Sequence, residues 1–335
     1  LLLFTSVCYG LVETCEELQA AFDLTKTQNV VIEVHPFVDI DCINFTTMSM
    51  DSNTLTVESS ENLNNFSGDS NLRQVRFEVT NGAKLYWETN AHFHGTETNQ
   101  DVDGGGVFVG EGSTLRFMNN LEMTDVGVRS VPEAGSDFAS YELSGGCVYT
   151  DGYFRVDGEA TFTSCEVTGG GESSPGPGGA LYVGEKGSVL FNGDLEISDV
   201  SITDDEGNNG GGIYNKGKVN IKGDATFDDL RAESGGAIYN AAGAQFRFKN
   251  GTSALFTDCS AFDGIGGALY NLGLFKFSGQ AVFVNTDAPS IYVGSTGRTV
   301  LSENSSFGAS DDTRNPAILV FTGGELDIPS SVSFV

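Results

Sequence analysis

The sequence predicts an all-β chain wound as a parallel β-helix, with three strands per coil and a short N-terminal capping helix. Three observations predict it: a recurring GG-small-aliphatic-aromatic row, a glycine-led alternating run behind each row, and a third alternating run before the next row. The row reads GGAIYN at 235–240 and GGALYN at 266–271, and recurs as GGVF (105–108), GGCVY (145–149), GGALY (178–182) and GGIY (211–214), with echoes in PSIY (289–292) and PAIL (316–319). Its small position is occupied by Gly106, Cys147, Ala180, Gly212, Ala237, Ala268, Ser290 and Ala317, at steps of 41, 33, 32, 25, 31, 22 and 27 residues. Self-similarity of this kind marks a solenoid or a propeller. A floor of 22 residues is too short for a four-stranded propeller blade of about 40 residues and fits one three-strand coil.

Taken from the N-terminus, LLLFTSVCYG (1–10) is similar to the tail of a signal peptide cut after Gly10, without Met or a basic n-region. Removing Cys8 would leave five cysteines, an odd number for an oxidising compartment. Thr14 and Glu17 then form a capping box, and Leu18, Ala21 and Phe22 share one face of a short helix. A solenoid must cover its open apolar end, and an amphipathic helix laid over the first coil does so. The expected division is an N-terminal segment with capping helix over 1–28 and a β-helix over 29–335, its strands beginning at NVVIEV (29–34). A Cys15–Cys42 disulfide would tie the cap to an early coil; for Cys8, Cys147, Cys165 and Cys259, disulfides and buried thiols stay open.

Within each coil the physical reading follows position by position. Glycine turns the corner because it reaches positive φ without a Cβ clash. The aliphatic residue after the small one (Val107, Val148, Leu181, Ile213, Ile238, Leu269, Ile291, Ile318) stacks on itself inside the tube. Alternation turns the next column outward, and that column holds Tyr149, Tyr182, Tyr214, Tyr239, Tyr270 and Tyr292, six of the chain's ten tyrosines. A hydroxyl needs a partner when buried, so the column is expected outside or at a corner with its OH in water, as an interaction surface. The second run (Gly187 with SVLF, Gly217 with KVNI, Gly243 with AQFRF, Gly273 with LFKF) and the third (LEISDV, ATFDDL, ALFTDC) carry the phenylalanines of the core.

Charge narrows the function. The chain has 46 acidic against 17 basic residues, net −29, so nucleic acid is not the expected partner, since phosphate binding needs clustered Lys and Arg. An acidic surface serves solubility, loose binding of divalent cations or repulsion between particles. Sequons at Asn44, Asn65, Asn250 and Asn304, with six cysteines, point to a secreted or cell-surface glycoprotein. No apolar run reaches the length of a membrane span. The far end, LDIPSSVSFV (326–335), still reads as strand, so either the chain runs on in a longer one or its last coil meets something, since an uncovered β-helix end pairs readily with another chain. With LLLF at the start as its counterpart, head-to-tail assembly with copies of itself is expected, or contact with other extracellular proteins or glycans.

The recurring GGA followed by Ile, Leu or Val resembles the repeats of chlamydial polymorphic outer membrane proteins, over roughly residues 80–320. Similar arrays occur in secreted β-helix proteins of algae and other protists. The resemblance implies a right-handed parallel β-helix of the pectin-lyase-like fold with an adhesive role at a surface. The companion FxxN motif stands at Phe117–Asn120, with FxxC at Phe162–Cys165 and Phe256–Cys259, and no terminal barrel is present.

The rival class is a polysaccharide-binding or polysaccharide-degrading β-helix. The chain has no GHG, its histidines (His35, His92, His94) lie in the first third, and its arginines are scattered. Asp228 and Asp229 are adjacent, so strand alternation points them apart. No catalytic residue and no cofactor are therefore expected. His92 and His94 share a face, but the sequence shows no third metal ligand; the acidic run Asp204–Glu206 reads as a solvated loop. Ice binding, which needs ranks of Thr, does not fit columns of Tyr, Gly and Asn. The insertion 166–179, EVTGGGESSPGPGG, is expected to project from one side.

Overall fold

The computed structural model describes residues 7–34, 38–50, 52–59, 69–95, 97–98, 103–129, 143–168, 177–202, 209–287, 289–303, 305–308 and 317–334. These form a parallel β-helix. Every second-run strand lies in a 12-stranded parallel sheet that includes Lys84–Trp87, Thr114–Phe117, Tyr153–Val156, Ser188–Phe191, Lys218–Ile221, Gln245–Phe248 and Leu274–Phe277 in consecutive order. The GG-row strands and the third-run strands form a second parallel sheet of 20 strands, in which the long strand Asp69–Val79 spans both runs and Ala225–Ser234 runs from the third run through the corner before the next GG row.

Register is the decisive feature. Val107, Val148, Leu181, Ile213, Ile238, Leu269, Ile291 and Ile318 are successive ladder partners, each directly over the last. The phenylalanines follow suit. Phe227, Phe256, Phe283, Phe307 and Phe334 stack with centroids 4.8, 4.8, 4.6 and 5.1 Å apart, close to the 4.7–4.9 Å between paired strands. Phe246 lies 4.8 Å from Phe275, and Phe248 4.9 Å from Phe277.

The two glycines of the row have different causes. The first of the pair, as at Gly235, has φ +63°, a left-handed backbone that a Cβ disfavours. The second, as at Gly236, sits where a Cβ would lie 2.2 Å from the carbonyl oxygen of Gly267 and 2.3 Å from that of Ser260, so only hydrogen fits between coils. After the third run one residue per coil is again left-handed: Asp125, Ser164, Asp199, Asp229, Asp258 and Asn285, all at φ between +48° and +55°. Short polar side chains tolerate this conformation best, which accounts for the recurring Asp in TDV, SDV, DDL and TDC.

The asparagine that ends GGIYN, GGAIYN and GGALYN forms an internal ladder. Asn215 donates from Nδ2 to Asn240 Oδ1 (2.8 Å), Asn240 to Asn271 Oδ1 (2.8 Å) and Asn271 to Thr299 Oγ1 (2.8 Å), all buried. Each end of the amide is used: Asn215 and Asn271 also accept from the backbone N–H of Gly217 and Gly273 at 3.0 Å. A buried amide is tolerated only when satisfied in this way.

At the N-terminal end the helix spans Cys15–Leu24, with Thr14 as N-cap and the capping box formed (Glu17 N–H to Thr14 Oγ1 3.2 Å; Thr14 N–H to Glu17 Oε2 3.1 Å). Leu18, Ala21 and Phe22 are buried, Phe22 stacking on Phe77 at 5.3 Å. The Cys15–Cys42 disulfide ties the helix to the early coils, Cα–Cα 5.4 Å.

Two expectations need correction, and one open question is answered. Strands do not begin at residue 29: Val7–Val12 already pairs in parallel with Val30–Val34, so the helix lies between two strands of one sheet rather than ahead of them all. Cys147 and Cys165 are bonded to each other, Cα–Cα 5.4 Å, because the small column and the column after the third run face each other within a coil. The tyrosine column is not uniformly exposed with its hydroxyls in water, since Tyr182 is buried and the Tyr149 hydroxyl is bonded to Asp151. The side chains of Cys8, Asn44, Asn65 and Asn304, and the run 204–206, lie outside the described residues.

Two expected outcomes test this stacking. Gly236→Ala should destabilise the fold by about 3 kcal/mol through overpacking, whereas Gly243→Ala, with φ +81° but nothing within 4 Å of the new carbon, should cost only about 1 kcal/mol; chemical denaturation of both variants measures the difference. Cys259 is a buried free thiol in the column of Cys165, and Ala237, in the same coil as Cys259, stands in the small column where Cys147 stands three coils earlier. Ala237→Cys should therefore form a second inter-column disulfide, closing a loop of 22 residues and adding roughly 3 kcal/mol, read as loss of free thiol and a raised Tm.

Candidate binding faces

The outer column of the GG row builds the first candidate. Inward packing of Val148, Leu181, Ile213, Ile238, Leu269 and Ile291 leaves the next residue facing out on the same sheet. Phe108, Tyr149, Tyr182, Tyr214, Tyr239, Tyr270 and Tyr292 consequently form one continuous stack, with centroid separations of 5.0, 4.9, 5.4, 4.8, 4.7 and 4.6 Å. The first five pairs are within 11° of parallel, and the last is tilted by 23°. Each ring covers the faces of its neighbours, so Tyr149, Tyr214, Tyr239, Tyr270 and Tyr292 are half-buried and present ring edges and hydroxyls.

Cations line this stack. Lys216 Nζ lies 5.5 Å from the ring centroids of both Tyr182 and Tyr214, and Arg76 lies 5.5 Å over Phe108, within cation–π range. Arg76 is itself buried and donates to the carbonyls of Gly104 and Asp103, each at 2.8 Å. Tyr149 donates its hydroxyl to Asp151 Oδ2 at 3.0 Å. Burial raises the hydroxyl pKa of Tyr149, Tyr239 and Tyr270 above that of free tyrosine, with the Asp151 carboxylate adding to the effect at Tyr149.

The second candidate is the outer face of the 12-stranded sheet. Nine of the 17 Lys and Arg residues stand on its strands or directly after them, although the chain is strongly acidic. Three of them are neutralised: Asp157 accepts from Arg116 and Arg155, each at 2.6 Å, and Arg298 pairs with Asp327 at 2.9 Å. In the middle, Lys218, Lys222, Arg247, Lys249 and Lys276 are exposed and make no ion pair among the described residues. Arg247 is the ladder partner of Lys276, an apposition of like charges that costs stability. Four of the five line a shallow groove of about 730 Å³ floored by Leu190, Phe248 and Leu274. The sequon residue Asn250 stands exposed on its rim.

The remaining residues singled out from the sequence fall elsewhere. Asp229 is a left-handed corner residue and exposed, while Asp228 is half-buried, its carboxyl pKa raised by burial and by Asp258, Asp229 and Asp199. His92 and His94 do share an outer face, and the structure adds Glu122 beside them, a residue that sequence reading missed because it lies one coil away. Comparison with protein families, with characterised proteins and with solved structures finds no match for this chain.

The tyrosine stack predicts a pH response. Unfolded tyrosines ionise near pH 10 while burial holds Tyr149, Tyr239 and Tyr270 protonated to higher pH, so the contribution of these three is intact below about pH 10 and is lost as pH rises from there through their raised folded values. Tyrosinate absorbance should titrate above the free amino acid, and the urea midpoint should fall with pH only beyond about pH 10.

Proposed function

We propose that this protein is a structural or adhesive β-helix glycoprotein of the extracellular space or cell surface, with the tyrosine stack as a contact face. The single observation that carries this is the continuous outer column from Tyr149 to Tyr292. Rings held by their neighbours lose little entropy when they meet a partner, and they offer apolar area with a polar rim. The Cys15–Cys42 and Cys147–Cys165 disulfides favour an oxidising compartment, and the repeat's resemblance to surface adhesins agrees. Among the described residues no helix is long and apolar enough to cross a membrane. Contact between copies through the tyrosine face is the form of the reading in which the protein is a subunit of an extracellular filament.

A second reading, binding of an acidic polysaccharide, is favoured by the unpaired cations of the groove. Their spacing, one coil apart vertically and two residues apart along a strand, is about 5 by 7 Å, on the scale of charges along a sugar chain. The groove presents no exposed ring for base stacking, which disfavours single-stranded nucleic acid.

One experiment separates the two. Tyr214→Ala/Tyr239→Ala/Tyr270→Ala should stay folded, losing a few kcal/mol at about 1 kcal/mol per ring pair, and should abolish assembly in sedimentation and attachment of protein-coated beads to cells. Arg247→Glu/Lys276→Glu should leave both unchanged while weakening retention on immobilised polygalacturonate at least tenfold relative to neutral dextran. Unimpaired attachment by the folded tyrosine variant would remove the first reading; retention equal to wild type in the charge-reversed variant would remove the second.

A further inference from the structure

We propose that His92, His94 and Glu122 form a binding site for a divalent first-row transition metal ion, of the zinc class, that joins two successive coils. The backbone supplies the convergence. In Asn90–His94, Ala91 and Phe93 point into the core, so His92 and His94 leave the same outer face two residues apart. One coil on, Leu121 and Met123 point inward, and Glu122 emerges as the ladder partner of His92.

The side chains then meet. One ligand atom from each of the three lies within 4.8 Å of the other two. The imidazole rings run side by side, with centroids 6.2 Å apart and planes within 9°, so their nitrogen edges are presented together. Glu122 is aimed by both of its oxygens: Oε1 is 3.4 Å from the hydroxyl of Thr124, which donates to it, and Oε2 is 2.8 Å from His92 Nδ1. Thr124 is in turn the ladder partner of His94, so the residue that orients the carboxylate sits over the second histidine.

The donor set selects the ion. Two imidazoles and a carboxylate suit zinc and its neighbours, whereas calcium and magnesium take oxygen ligands almost exclusively. All three residues are half-buried, which shields the site from bulk solvent without closing it. His94 borders an open cavity that also holds Asp41, Arg73, Gln74 and Asp125. That cavity opens beside His94, and its two carboxylates, Asp41 and Asp125, balance the charge of Arg73 in its lining. Three protein ligands with an open position is the arrangement of a zinc ion that still carries an exchangeable ligand. The site lies outside both the tyrosine stack and the basic groove.

The test uses the full chain without a polyhistidine tag, titrated with Zn²⁺ by calorimetry and with Co²⁺ by visible absorption. The expected result is one tight equivalent of Zn²⁺, a Co²⁺ spectrum showing nitrogen ligation, a Tm that rises with Zn²⁺, and no comparable response to Ca²⁺. His94→Ala and the isosteric Glu122→Gln should each weaken Zn²⁺ at least tenfold and abolish the Tm rise, with strand content unchanged by circular dichroism. Absence of a tight equivalent in the wild type, affinity unchanged in folded Glu122→Gln and His94→Ala, or Ca²⁺ bound as tightly as Zn²⁺ would each overturn the assignment.

Discussion

Parallel in-register pairing between successive coils is the constraint on which the rest of the molecule depends. Once strands of one coil lie directly over those of the next, every side chain meets its counterpart at the strand spacing of about 4.8 Å. Identical residues then become the cheapest solution, because a shape that stacks on itself fills the interval without voids. The phenylalanine columns, the buried Asn215–Asn240–Asn271 ladder and the external tyrosines are one rule applied to three chemistries. The same rule imposes the second glycine of each row, since the neighbouring coil's carbonyl occupies the space of a Cβ.

Stacking also organises the surface, which is where function resides in a fold of this kind. A column that faces outward is repeated by every coil, so a modest sequence bias becomes an extended stripe. Tyrosine in six successive coils yields a rigid aromatic rail. Lysine and arginine in adjacent coils yield a local positive groove on a chain of net charge −29. At a Debye length of about 8 Å in physiological salt, that groove is felt by a nearby ligand largely apart from the acidity elsewhere. The corner columns instead accept disulfides or single thiols, as Cys147–Cys165 and Cys259 show.

Much of this was legible in the chain itself. Repeat length and three alternating runs per period define the coil, and the aliphatic column after each small residue could be aligned by eye into the ladder that Ile213, Ile238 and Leu269 make. The cap at Thr14 and the Cys15–Cys42 bond were equally readable, because a capping box is a local signal and the bond joins the helix to an early coil. The asparagine after the tyrosine was visible in three rows, but its meaning depends on whether the side chain turns inward.

What the sequence determined by itself is therefore the period: a repeat of given length and alternation leaves a stacked coil as the form that buries each apolar column. Only the tertiary structure decided which residues of different coils or different runs come together, such as Glu122 with His92 and His94, or Cys147 with Cys165. The physical reason is that insertions vary the distance along the chain between equivalent positions while the distance through space stays fixed at one strand spacing. Sequence separation thus carries no measure of contact until the register is known.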